Sequence, residues 1–172
     1  MRTGSGILKR RFVTLKVRKA EMKTIEIFTE GNISLPYDNI DENYISRISG
    51  KILELTATDN VSISIILTDN EYIHEINSEY RGKDMPTDVI SFAYRDEPFP
   101  SPSGITEELG DVYISLERTA EQSVEFKVTF EEELKRLITH GILHLLGYDH
   151  EKSPEDELRM RELEEKILSS LK

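Results

Sequence analysis

Three of the four histidines in the chain fall in one short stretch, His140-Gly-Ile-Leu-His144-Leu-Leu-Gly-Tyr-Asp-His150. At a rise of about 1.5 Å and a turn of about 100° per residue, His140 and His144 project from one helix face roughly 6 Å apart along the axis. Two imidazoles at that spacing can close on one ion. Gly147 follows, and a glycine just past a helix takes the left-handed conformation without a Cβ penalty, so the chain can turn and bring His150 back. Three neutral imidazoles with a vacant fourth position make the catalytic type of zinc site, with ligand distances of about 2.0–2.1 Å. An ion so held keeps its full charge and lowers the pKa of a bound water toward ~7. The expectation is one Zn2+ per chain on His140, His144 and His150, although imidazole also suits nickel, copper and iron.

The plainer reading makes His140 and His144 packed histidines of an apolar helix (Leu137, Ile138, Ile142, Leu143) and His150 a surface residue. The third histidine, placed after a helix-ending glycine, is what favours metal. His74 stands among Glu71, Glu75 and Glu79 and reads as a solvated side chain. The spacing His-x3-His-x2-Gly-x2-His resembles that of metzincin metallopeptidases, in which a glutamate after the first histidine is the general base. Here that position is Gly141, which cannot deprotonate water. A zinc hydrolase survives the objection better than an ordinary zinc protease.

The elements that must position these residues follow from periodicity. Lys23 to Glu30 alternates in period two, Val61 to Thr68, Asp88 to Tyr94 and Gly110 to Leu116 are strand-like, and Asp41 to Leu55 carries Ile45, Ile48, Ile52 and Leu55 at helical spacing. Asp69 is an N-cap for a helix presenting Tyr72, Ile73 and Ile76. Tyr80 to Thr87 is a polar turn, and Asp96 to Glu108, with three prolines and Gly104, reads as an exposed, mobile loop. Thr129 and Glu132 form a capping box for the long histidine helix, and Ser153 with Pro154 opens a charged last helix. The predicted class is α+β: a small mixed sheet of about four strands flanked by helices, the histidine helix central.

At 172 residues, 37% hydrophobic and 32% charged, the chain suits one globular domain. Residues 1–21 hold seven bases and one acid, a net of +6 against −11 for the whole, which leaves −17 on residues 22–172. A broad basic surface for nucleic acid is excluded, and any RNA contact must be local. Residues 1–21 are set apart as a basic leader expected to be flexible, although Phe12, Val13, Leu15 and Val17 could form a strand; residues 22–172 are the single hydrolase domain. Cysteine is absent, so thiolate chemistry and disulfides are excluded. No run is long and apolar enough for a membrane span or a secretory signal, and the expected location is cytoplasmic.

Three segments carry a family resemblance: Asn77 to Phe92 (NSEYRGKDMPTDVISF), Gly110 to Ser115 (GDVYIS) and Thr139 to His150 (THGILHLLGYDH). In these the chain resembles YbeY-type endoribonucleases, bacterial rRNA maturation factors, in a pattern running roughly from Lys23 to the C-terminus. The resemblance implies a metal-dependent, single-strand-preferring RNase acting on the 3′ end of small-subunit rRNA and in ribosome quality control, with ribosomal RNA and the ribosome or its proteins as partners. It carries the metal onto His140, His144 and His150 and a functional arginine onto Arg81. By its chemistry alone Arg81 offers a permanent charge and paired donors to a phosphate, but without the family match it reads as a surface arginine. Lys83 is a weaker cation beside it. Asp149 could orient a ligand, move a proton or shape the turn. Asp88 and Asp111 are assigned only to strand ends, and Tyr80 and Tyr148 could stack on bases or pack. Two rivals stay open: a zinc-dependent amide hydrolase with a non-standard base, and a non-catalytic ribosome assembly factor with a structural metal.

Overall fold

A computed structural model describes residues 11–17, 21–96, 106–149 and 153–171. Five strands form one mixed sheet: β1 (Arg11–Val17), β2 (Glu21–Thr29), β3 (Val61–Thr68), β4 (Val89–Ala93) and β5 (Glu107–Ser115), in the spatial order β1-β2-β3-β5-β4. The central pairs β2/β3 and β3/β5 are parallel, while β1/β2 and β4/β5 are antiparallel. The expected α+β class with a mixed sheet is the one found. Strands β2 to β5 are the four that alternation predicts. β1 is a fifth, lying inside the stretch set apart as a leader: its backbone pairs with Glu21 through Ile27 and closes the β2 edge, which would otherwise expose a row of unpaired amides and carbonyls. Residues 1–10 and 18–20 lie outside the described residues, as do residues 97–105 of the proline-rich loop.

The helices are α1 (Glu42–Leu55), α2 (Asn70–Arg81), α3 (Leu116–Phe126), α4 (Phe130–Leu145) and α5 (Pro154–Ser170). One sheet face carries Ile25, Ile27, Ile63, Ile65, Leu67, Val112 and Ile114 into a core shared with Ile45, Ile48 and Ile52 of α1 and Leu134, Leu137 and Ile138 of α4. α4 is central, packed against α1, α3, α5, β4 and β5. A helix in that position must be apolar on several sides, which is why its histidines sit in so hydrophobic a run. α3 has no counterpart among the periodic segments read from sequence. Its inward positions include Thr119 and Ser123, whose hydroxyls bond the Ser115 and Ala120 carbonyls, so its buried side carries a weak apolar signal.

The expected caps are all present. Asp69 Oδ1 accepts the Tyr72 amide at 2.8 Å, Thr129 and Glu132 form the reciprocal capping box, and Ser153 Oγ accepts the Asp156 amide at 3.1 Å with Pro154 in the first turn.

Three carboxylates are held below their ordinary value of 4.5: Glu107 by hydrogen bonds from Arg95, Glu131 by Lys135 and then Tyr44, and Glu132 by the Thr129 amide and hydroxyl. On acidification the unfolded chain therefore takes up protons before the folded one. The stabilisation is complete above pH 4.5 and is lost as pH falls through the lowered values. Urea unfolding across this acid range is expected to show stability falling with pH, and a shallower fall in Glu107→Gln; equal slopes in the two proteins would remove the Arg95–Glu107 pair from the account.

Candidate metal centre

α4 ends in a backbone motif that sets the direction of the chain leaving it. The Gly147 amide donates to the His144 carbonyl at 2.9 Å and the Tyr148 amide to the Leu143 carbonyl at 3.1 Å, with Gly147 at φ +91°. This is the Schellman pattern, and it requires the positive φ that glycine adopts freely. Beyond it, Asp149 is half-buried, and a depression of about 230 Å³ opens between this turn and Arg159 of α5.

One turn apart on α4, His140 and His144 face one another with Nε2 atoms 3.1 Å apart and rings inclined at 73°. Two ligands about 2.0–2.1 Å from one ion, at angles of roughly 100–110°, are themselves about 3.1–3.4 Å apart. The pair thus fits a shared ion, and in its absence also fits one Nε2–H donating to the other nitrogen. Among the described residues no cluster of three ligating side chains forms. His150, the expected third ligand, lies outside the described residues.

Behind the pair lies a layer of charge that sequence reading missed. His140 Nδ1 is 3.5 Å from Oε1 of Glu164 on α5. One turn before His140, Arg136 donates to Glu133 through Nε and Nη2 at 2.6–3.1 Å and lies 3.6 Å from Asp88. Glu133 is only 2% exposed. Burial works to lower the Arg136 pKa, but Glu133, Asp88 and Glu164 outweigh it and raise it. Asp88 does take its own strand-end donor, the Val89 amide at 2.8 Å, as expected, and ties in Gln122 and Arg136 besides. Asp111 instead accepts the Tyr94 hydroxyl at 2.7 Å.

Gly141 packs on the sheet. A Cβ there would collide with Val112 Cγ1 and come within 3.3 Å of Ser91 Oγ, which donates to the Gly141 carbonyl. Absence of a side chain at this position lets α4 lie directly against β4 and β5.

Arg81 is the last residue of α2, exposed, and followed by Gly82. Adjacent strand residues face opposite ways. Ser91 meets α4 while Phe92 meets Tyr80 of α2, with ring centroids 5.4 Å apart. The edge strand β4 therefore lies between the end of Arg81's helix and the histidine helix. The structure brings His140 and His144 together and sets Arg81 across that strand from them. The turn after Arg81 is pinned by Asn77, 1% exposed, whose Nδ2 donates to the Met85 carbonyl at 2.7 Å and whose carbonyl accepts the Lys83 amide. Nothing in the periodicity marked Asn77. His74 is on the surface, as expected, and there its Nε2 lies 2.7 Å from Oδ1 of the exposed Asp84.

Comparison with known proteins bears on what such a centre does. The family model described as endoribonuclease YbeY matches residues 31–172. A curated relative of that description from Fusobacterium nucleatum is 53% identical over 131 residues, covering 75% of this chain and 78% of its own. One from Aquifex aeolicus is 42% identical over 139 residues, covering 81% and 89%. The solution structure of a Thermotoga maritima protein superposes with a TM-score of 0.56 at 29% identity, covering 84% of this chain and 86% of that one. With most of its length matched by the family model and by these relatives, the chain belongs to the endoribonuclease YbeY family.

Proposed function

We propose that the protein is a metal-dependent endoribonuclease that cleaves single-stranded RNA, matures the 3′ end of small-subunit rRNA and serves ribosome quality control in the cytoplasm. The observation that carries the reading is the 3.1 Å approach of the His140 and His144 Nε2 atoms on the central helix of a chain in an endoribonuclease family. His140, His144 and His150 would hold the ion, one Zn2+ per chain. When bound, it supplies Lewis-acid polarisation of a phosphodiester and acidifies water at neutral pH.

The chain's own residues do the rest. Arg81 offers a cationic pair of donors, so it holds a phosphate and offsets the charge that builds on it in the transition state. Asn77 keeps the turn behind Arg81 in one conformation. The −17 on residues 22–172 repels polyanions elsewhere, so RNA is accepted only where these local cations face it. Gly141 leaves the peptidase reading without its base. Ribosomal RNA precursor is the substrate, and the acidic surface suits basic ribosomal proteins as partners.

The test is metal content and cleavage of a single-stranded RNA measured together in wild type and Arg81→Ala. The variant should keep its metal and lose cleavage by about 10²-fold or more, the scale of removing one transition-state donor. Cleavage unchanged in Arg81→Ala would remove this residue from the site, and wild-type protein that carries metal but cuts no RNA would favour the assembly-factor role.

A further inference from the structure

Glu164 is a carboxylate whose environment the fold does not account for. It lies midway along α5, its side chain is 18% exposed, and Oε1 is sealed from solvent with no hydrogen-bond donor among the described residues. A buried carboxylate oxygen without a donor is unfavourable and is retained where it has a task. Arg136 is near enough to feel its charge but already has Glu133 and Asp88 as partners. His140 also stands against it, with Nδ1 3.5 Å from that oxygen, on the far side of the ring from the nitrogen that faces His144. At 3.5 Å the two attract electrostatically, and a contraction of a few tenths of an ångström makes a hydrogen bond.

We propose that Glu164 is the positioning residue for His140. By accepting the Nδ1–H it selects the tautomer whose Nε2 carries a lone pair, and holds that lone pair toward the ion shared with His144. In the metal-free protein the same tautomer makes His140 Nε2 the acceptor of a proton carried on His144 Nε2, consistent with their 3.1 Å separation. The inference rests on the metal reading above, but the tautomer exists without metal and can be observed separately.

Two variants separate positioning from a mere tie between α4 and α5. Glu164→Leu fills the space and removes the acceptor; Glu164→Gln keeps an acceptor and removes the charge. In metal-free protein, long-range proton–nitrogen NMR correlations of His140 should show Nδ1–H in wild type and Glu164→Gln, and a mixture in Glu164→Leu. Zinc affinity, read by competition with a chromophoric chelator, should fall about 10- to 100-fold in Glu164→Leu and less in Glu164→Gln. The melting temperature of metal-free Glu164→Leu should stay close to that of wild type, because the leucine keeps the packing between α4 and α5. A Glu164→Leu protein that keeps Nδ1–H and wild-type zinc affinity, or that melts early with its tautomer unchanged, overturns the proposal. Wild-type protein with the Glu164-dependent tautomer but no zinc affinity would support this contact while refuting the metal reading.

Discussion

His144→Ala is expected to purify without metal and to cut RNA at least ~10³-fold more slowly than wild type, while remaining folded. The loss is large because the proposed site takes three protein ligands, and His144 is one of them. With one imidazole gone, the remaining pair gives a weaker and more solvated site, and Lewis-acid stabilisation of the transition state goes with it. The fold should survive because His144 is only half-buried and its neighbours Leu143 and Leu145 supply the packing. His140→Ala should behave alike, removing the other half of the 3.1 Å pair. The checks are metal by atomic emission, cleavage of single-stranded RNA, and circular dichroism. Undiminished cleavage by metal-free His144→Ala would end the metal reading.

Gly110→Ala is expected to lose about 3–5 kcal/mol of stability, a large share of what a domain of this size possesses. Two costs add. Gly110 has φ +138°, where a Cβ is strained on its own. The Cβ would also land on the carbonyl oxygen of Phe92, a backbone atom of the paired strand that cannot swing aside, and 3.1 Å from Leu145 Cδ2. The register explains the conformation: Ser62 pairs with Glu108 but Ile63 with Gly110, so Leu109 is an extra residue bulged into the core, and Gly110 returns the strand to its ladder against Ala93. Gly147 is the natural comparison, with positive φ but nothing within 4 Å of its Cβ position among the described residues, so Gly147→Ala should cost only about 1 kcal/mol of stability. Urea midpoints of the two variants measure the difference. If they lose equal amounts, the approach of Phe92 to β5 is looser than described.

Much of this architecture was legible from residue spacing because the governing interactions are local. Caps at Asp69, Thr129 and Ser153 bond three residues ahead, and the i, i+4 histidines share a face by helix geometry alone. The glycine stop at 147 is equally local. What spacing did not reveal depends on distant parts of the chain. Glu164 matters only because α5 packs on α4, Asn77 only because a turn folds back over its side chain, and Gly141 only because Val112 lies against it. β1 draws its place from the β2 edge. α3 stayed hidden for another reason: it buries Thr119 and Ser123, hydroxyl residues that satisfy themselves on their own helix and dilute the apolar stripe.

The contact of Gly141 with Val112 reaches further than packing. In helices of the peptidase type, the site next to the first ligand histidine supplies the proton acceptor. Here that site is a bearing surface on which the histidine helix rests against the sheet, and a glutamate grafted onto it would lever the helix off Val112 and shift both imidazoles away from β4 and β5. A single-step exchange of one hydrolytic chemistry for the other is thus obstructed by steric architecture, and any group that removes a proton during turnover must arrive from the substrate, from solvent or from a different part of the molecule.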